Sequence, residues 1–173
     1  TTPSSAGSTS AGSIAIDASQ SIGLSSSARV LANAGSVGIV GGEVSLNATV
    51  INAQSGATIQ ANGLGASGGD ISLTAAKSIA TAATIQANGA NGGRIVVIAD
   101  TSNLQSQLKV SGTLTAQGLA TGGSGGFVET SASRLTIEPT AAIQTNAPRG
   151  QGGAWLIDPT NFTVAATGGD ING

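Results

Sequence analysis

Eight carboxylates are the groups in this chain best suited to proton transfer or cation binding, because the sequence holds no His and no Cys. Those absences remove the usual general base, the thiol nucleophile and the common transition-metal ligands. Asp17, Asp100, Asp158 and Asp170 fall at strand ends or turns of different repeats. Glu43 and Asp70 differ, since they occupy equivalent places in Gly42-Glu43-Val44-Ser45-Leu46 and Gly69-Asp70-Ile71-Ser72-Leu73. If these copies stack as adjacent strands, the two carboxyls stand roughly 5 Å apart, a spacing that suits an acid/base pair or a bound cation. Arg94 takes the same position one copy later, in Gly93-Arg94-Ile95, and partly neutralises them. A plain charged column is the stronger reading, so no catalytic, metal or cofactor site is assigned.

Other motifs are equally quiet. The run Gly122-Gly123-Ser124-Gly125-Gly126 lacks the Lys and Ser/Thr of a phosphate loop and the Asp of calcium-binding nonapeptides, and reads as a turn. Asn47-Ala48-Thr49 and Asn161-Phe162-Thr163 make Asn47 and Asn161 candidate glycosylation acceptors, although a chain rich in Asn and Thr yields such triplets by chance. Six scattered Lys and Arg residues form no basic stripe, so no nucleic acid partner is expected. The longest apolar run, Ile95-Val96-Val97-Ile98-Ala99, is far short of the ~20 residues of a membrane helix, so no membrane insertion is expected. Sugar-cleaving solenoids need clustered acids and aromatic platforms, and this chain offers only Phe127, Trp155 and Phe162 as aromatics.

The elements that must position these residues are repeats. Ala57-Thr58-Ile59-Gln60-Ala61-Asn62-Gly63 returns as Ala83-Thr84-Ile85-Gln86-Ala87-Asn88-Gly89, with looser copies beginning at Ala28, Gly112 and Ala141. The starts at 28, 57, 83, 112 and 141 are 29, 26, 29 and 29 residues apart, the length of one solenoid coil. A second pattern, a small-residue pair followed by alternating apolar positions, occurs six times, beginning near Gly12, Gly42, Gly69, Gly93, Gly126 and Gly153. Alternation with period two puts alternate side chains on opposite faces of a strand. The inward stack is therefore Ile14, Val44, Ile71, Ile95, Val128 and Trp155, joined by Ile16, Leu46, Leu73, Val97, Thr130 and Ile157. Ser45, Ser72 and Glu129 face outward.

A third short segment carries Ile22 and Leu24, Ile51 and Ala53, Ile79 and Thr81, Leu135 and Ile137, and Phe162 and Val164. Three strands per repeat predict an all-β chain, a parallel β-helix of about six three-strand coils with 26–29 residues each. Residues 11–173 form this domain and residues 1–10, without periodicity, form a flexible lead-in. The first repeat buries Val30, Ile59, Ile85, Leu114 and Ile143. Two residues past each member of that column comes Ala32, Ala61, Ala87, Ala116 or Thr145, and the next position, Asn33, Asn62, Asn88, Gln117 or Asn146, enters a turn. Stacked amides about 4.8 Å apart can bond along the axis as a structural ladder, and Asn tolerates a left-handed turn. The gap from Gly92 to Gly112, 20 residues, predicts a bulged turn from Asp100 to Lys109.

The stretch Gly152-Gly153-Ala154-Trp155-Leu156-Ile157-Asp158-Pro159-Thr160-Asn161-Phe162-Thr163, with the preceding Gly-Gly strands and Ala-x-Ile-x-Ala-Asn-Gly turns, resembles the filamentous-haemagglutinin-like large exoproteins of two-partner secretion. The similarity runs from about Ala11 to Gly173. It implies a right-handed coil, a secreted or cell-surface location in a Gram-negative bacterium, an outer-membrane secretion partner, and service as an adhesin shaft or matrix fibre. The family's Asn-Pro-Asn secretion motifs and an Arg-Gly-Asp triplet are missing here, so no receptor site is carried over. The last residues, Gly168 to Gly173, begin another repeat, from which end-to-end association is expected. The expected role is thus structural and not enzymatic. The alternative is a glycan-binding or, more weakly, ice-binding module using Thr58, Thr84 and Thr113 with Gln60, Gln86 and Thr115.

Overall fold

The computed structural model describes residues 9–120 and 123–161. Its strands are β1 (Ser13–Asp17), β2 (Ser21–Leu24), β3 (Arg29–Leu31), β4 (Glu43–Ala53), β5 (Thr58–Gln60), β6 (Asp70–Thr81) and β7 (Thr84–Gln86). They continue as β8 (Arg94–Ala99), β9 (Gln107–Val110), β10 (Thr113–Thr115), β11 (Phe127–Ile137), β12 (Ala142–Gln144) and β13 (Ala154–Asn161). No helix occurs among the described residues, hence none long and apolar enough to cross a membrane.

Every strand pair is parallel, and each strand bonds to the equivalent strand of the next repeat. One wall follows the order β1-β4-β6-β8-β11-β13 and another the order β12-β10-β7-β5-β3. The remaining wall is built from β2, β9 and the second halves of β4, β6 and β11. The chain is therefore a parallel β-solenoid. It has about five turns, one fewer than the sequence pattern suggests, because the wall ending in β12 has five strands. The sixth copy of the Gly-Gly pattern becomes β13, and the segment carrying Phe162 and Val164 lies outside the described residues.

Registers follow the alternation. Ile14, Val44, Ile71, Ile95, Val128 and Trp155 are Cα partners in turn, as are Val30, Ile59, Ile85, Leu114 and Ile143. The middle of the stack is sealed: Val44, Leu46, Ile59, Ile85, Ile95, Leu114 and Val128 have no exposed surface, each burying its whole aliphatic side chain. The outer turns are looser, with Ile14, Ile143 and Trp155 half-buried and Ile16 37% exposed in a strand paired with β4. Ser10 bridges Val40, and the Thr9 carbonyl accepts from the Val40 N–H at 3.1 Å, both inside the stretch expected to be a lead-in.

Thr130 is a polar residue in an otherwise aliphatic column, and its neighbour explains it. Trp155 Nε1 donates to Thr130 Oγ1 at 3.0 Å, so the indole N–H turned into the core has an acceptor. Thr130→Val keeps the shape and raises hydrophobicity, yet is expected to cost about 1–2 kcal/mol because the indole donor loses its partner. Urea unfolding measures this, and a variant as stable as the parent would mean that water replaces the hydroxyl.

The long gap after β8 differs from expectation. The turn ends at Ser106, and Gln107–Val110 is strand β9, in register with Ser78–Thr81 of β6 and Arg134–Ile137 of β11. Leu108 and Val110 are buried, completing a column that the turn reading left empty. The loop itself is pinned: Asn103 Nδ2 donates to Ala76 O at 3.0 Å, Ser133 N–H to Ser106 Oγ at 3.0 Å, and Ser133 Oγ to Thr101 O at 3.1 Å.

Candidate functional site

The most organised polar feature lies where β3, β5, β7, β10 and β12 end. Asn62 N–H donates to Asn33 Oδ1, Asn88 N–H to Asn62 Oδ1, and Gln117 N–H to Asn88 Oδ1, each at 2.8 Å. The carbonyl of the same partner residue accepts the next backbone N–H: Ala34 to Asn62 O at 2.8 Å, Gly63 to Asn88 O at 2.8 Å, and Gly89 to Gln117 O at 3.2 Å. Each Asn and its successor are thus clamped at two points by one residue of the following turn. The amide column expected from sequence is not a simple amide-to-amide stack, since its Asn rungs run through backbone N–H groups. Amides do meet at Asn33–Gln60 (2.9 Å), Gln60–Gln86 (2.6 Å) and Gln117–Asn146 (2.7 Å). Asn88 Nδ2 donates to Thr115 Oγ1 at 3.1 Å.

The left-handed role proposed for these Asn residues is not used. Among the described residues no non-glycine has positive φ, and the left-handed positions are Gly38, Gly56 and Gly65. The clamp accounts for the amides instead, because a short carboxamide can accept from the next turn while its nitrogen donates sideways.

The charged column is assembled as its spacing implies, with Glu43 paired to Asp70 and Asp70 to Arg94. Arg94 nonetheless reaches forward: its guanidinium lies 3.7 Å from Glu129 Oε2 and 5.6 Å from the centroid of the Phe127 ring. It therefore neutralises the following turn, a partner choice that strand spacing alone leaves open. Both side chains flank Val96, which sits between Ser72 and Glu129 in register and is only 4% exposed despite its outward position. Because Arg94 is half-exposed, the ion pair contributes little to stability. Lys109 and Glu138 form a second pair at 2.9 Å. Among the described residues no group of three or more Asp and Glu comes together that could hold a metal.

Beside this column runs a shallow groove of ≈ 570 Å³ floored by the glycine pairs 68–69, 92–93, 125–126 and 152–153. Except at Gly152, where a Cβ would meet nothing, the floor is backbone because nothing larger fits. A Cβ on Gly69 would strike the Gly42 carbonyl, one on Gly93 the Gly69 carbonyl, and one on Gly126 the Gly93 carbonyl. The N–H of Gly42, Gly69, Gly93, Gly126 and Gly153 each donates at 2.7 Å to a carbonyl at the end of the preceding short strand. These bonds close each turn onto the next. The groove is a product of coil closure, with Asp70, Arg94 and Phe127 as its larger side chains.

Two further sites are set by local bonds. The Asp100 carboxylate accepts from the Ser102 hydroxyl at 2.6 Å and the Ser102 N–H at 3.0 Å, which hold its pKa below the ordinary value. Asn47, the first sequon residue, is exposed on β4 and donates to Asp17 Oδ1 at 3.2 Å. Asn161 ends β13 in register with Arg134, and the rest of its sequon lies outside the described residues. Comparisons with protein families, curated proteins and solved structures returned no match.

Proposed function

We propose that this chain is a rod segment, a shaft or fibre piece of a secreted, filamentous-haemagglutinin-like surface protein, with no chemistry of its own. The observation that carries the reading is the parallel ladder, in which successive turns are bonded strand to equivalent strand, with one register shift in the β4–β6 pair between Ala48 and Val50. Such a solenoid grows by adding like units, and its stability is a sum of turns and interfaces between them. Five turns at about 4.8 Å give only about 24 Å, so the working object is a longer stack, by continuation of the same polypeptide or by end-to-end association. A right-handed coil agrees with the strong bias of parallel crossovers. Residence on a Gram-negative surface and export through an outer-membrane partner follow from the sequence resemblance.

The glycan- or ice-binding alternative uses the face of Thr58, Thr84 and Thr113. Its amides are already engaged, since Gln60 and Gln86 bond each other, and Thr115 is buried. The structural reading is therefore preferred.

Removal of one whole turn tests it. Deleting residues 57–82 joins Gly56 to Ala83, where the heptapeptide Ala-Thr-Ile-Gln-Ala-Asn-Gly repeats, so β4 meets β8 with Val44 opposite Ile95. The shortened chain is expected to fold, to unfold cooperatively, and to be shorter by about 4.8 Å in small-angle scattering. A glycan ligand bound by the parent chain and lost from the folded deletion variant would replace the shaft reading with the binding one.

A further inference from the structure

Three Asn-Gly dipeptides, Asn62-Gly63, Asn88-Gly89 and Asn91-Gly92, carry the same two-point clamp. Asn62 Oδ1 and Gly63 N–H both bond Asn88, each at 2.8 Å. Asn88 Oδ1 and Gly89 N–H both bond Gln117, at 2.8 and 3.2 Å. Asn91 Oδ1 and Gly92 N–H both bond Ser124, at 3.0 and 2.8 Å. In each pair one residue of the following turn donates to the side-chain carbonyl and accepts from the glycine N–H.

Asn-Gly is also the dipeptide most open to spontaneous deamidation, because a glycine nitrogen has no neighbouring Cβ to block its approach. In that reaction the glycine nitrogen gives up its proton and attacks Asn Cγ. The N–Cγ bond forms, the Cγ–Nδ2 bond breaks, and ammonia leaves carrying the proton. Water then opens the succinimide to aspartate or isoaspartate. The clamp opposes both requirements: the glycine proton is held by a carbonyl, and the carboxamide is fixed by its own acceptor bond. Asn88 is further tied through Nδ2 to Thr115.

We propose that these three asparagines are modification sites whose chemistry is governed by folding: locked in the solenoid, and hydrolysed when the chain is unfolded. The product does not re-enter the fold. Isoaspartate adds a main-chain carbon between two residues whose bonds to the next turn must both form. Aspartate at 62 and 88 places two carboxylates about 4.8 Å apart in one column and removes the Nδ2 donors. Time spent unfolded is thereby recorded covalently and limits recovery of the rod. The inference stands independently of the shaft reading.

The test incubates the unaltered chain at mildly alkaline pH, with and without urea, and follows the peptides containing Asn62, Asn88 and Asn91 by mass spectrometry. Asn33-Ala34 has the same clamp but a Cβ on the attacking residue, so it serves as the chemical control. Because two hydrogen bonds must open first, conversion in the folded chain is expected to be roughly tenfold to a hundredfold slower than in urea. Asn33 should stay intact in both. Refolding yield after dilution should fall with the same time course as the conversion. Equal rates in folded and unfolded chains would overturn the lock, and full refolding of converted chains would overturn the recording.

Discussion

Gly69→Ala and Gly93→Ala are each expected to destabilise the solenoid by about 3–5 kcal/mol, whereas Gly23→Ala should leave it unchanged or slightly firmer. The difference lies in what the new methyl meets. At Gly69 it would run into the Gly42 carbonyl and the Gly41 backbone, and at Gly93 into the Gly69 carbonyl and the Gly68 backbone. Neither obstacle is a side chain that can rotate away, so two turns must separate. Overpacking of this kind costs about 1–3 kcal/mol on its own. Separation also weakens bonds that close the turns: Gly69 N–H to Ala61 O at 2.7 Å and Asp70 N–H to Gly42 O at 3.0 Å, with counterparts from Gly93 to Ala87 and from Arg94 to Gly69. Each contributes about 0.5–1.5 kcal/mol. Gly23, on the outward face of β2 between buried Ile22 and Leu24, has nothing within 4 Å of its would-be Cβ. There, alanine mainly restricts the unfolded chain, a gain of about 0.4–1 kcal/mol. Chemical denaturation of the three variants ranks them. A Gly69→Ala protein as stable as Gly23→Ala would mean that the turns are not in the close contact described.

The glycine pairs illustrate how much of the fold is legible in residue order. Alternation in Gly-Asp70-Ile71-Ser72-Leu73 shows which side chains enter the core, because inward packing acts on side-chain type and leaves a period-two trace. The repeat length shows that copies stack. The reason for two glycines in a row is not visible in the same way. Their runs read as turns, while the constraint is an approach to the carbonyl of the preceding turn, and backbone carbonyls are present at every residue. The Asn column is similar: its periodicity marks a ladder, but its principal partners are N–H groups of Asn62, Asn88 and Gln117, which carry no sequence signature. Strand β9 was within reach, since Leu108 and Val110 alternate with Gln107 and Lys109. The corner of residues 100–106 is longer than its equivalents and disguises the spacing. Arg94 pairing with Glu129 depended on side-chain reach, which strand register does not set.

Ile85→Asp and Gln86→Lys separate the two faces of one short strand. Ile85 has no exposed surface and stacks between Ile59 and Leu114, while Gln86, its neighbour, is only half-buried and faces outward. Removing a buried isoleucine side chain costs about 2–5 kcal/mol. The aspartate would also have to give up its hydration in a column of aliphatic groups, where it is expected to fold only in its neutral form. The combined loss, about 5 kcal/mol or more, approaches the whole stability of an ordinary domain of about 5–15 kcal/mol. Because neighbouring turns stabilise one another through their interfaces, the break at β7 should propagate and unfold the middle of the rod as a unit. Gln86→Lys loses the 2.6 Å bond from Gln60 Nε2, a contribution of about 0.5–1.5 kcal/mol. Its ammonium can extend into water along the rim, and Gln60 and Thr115, its register neighbours, carry no charge to repel it. Gln86→Lys should therefore retain the parent circular dichroism spectrum with a small drop in Tm, and Ile85→Asp should lose it, more completely at neutral than at acid pH. Comparable losses from both changes would place the inward face of this strand on the other set of side chains, and with it the register of every turn stacked upon it.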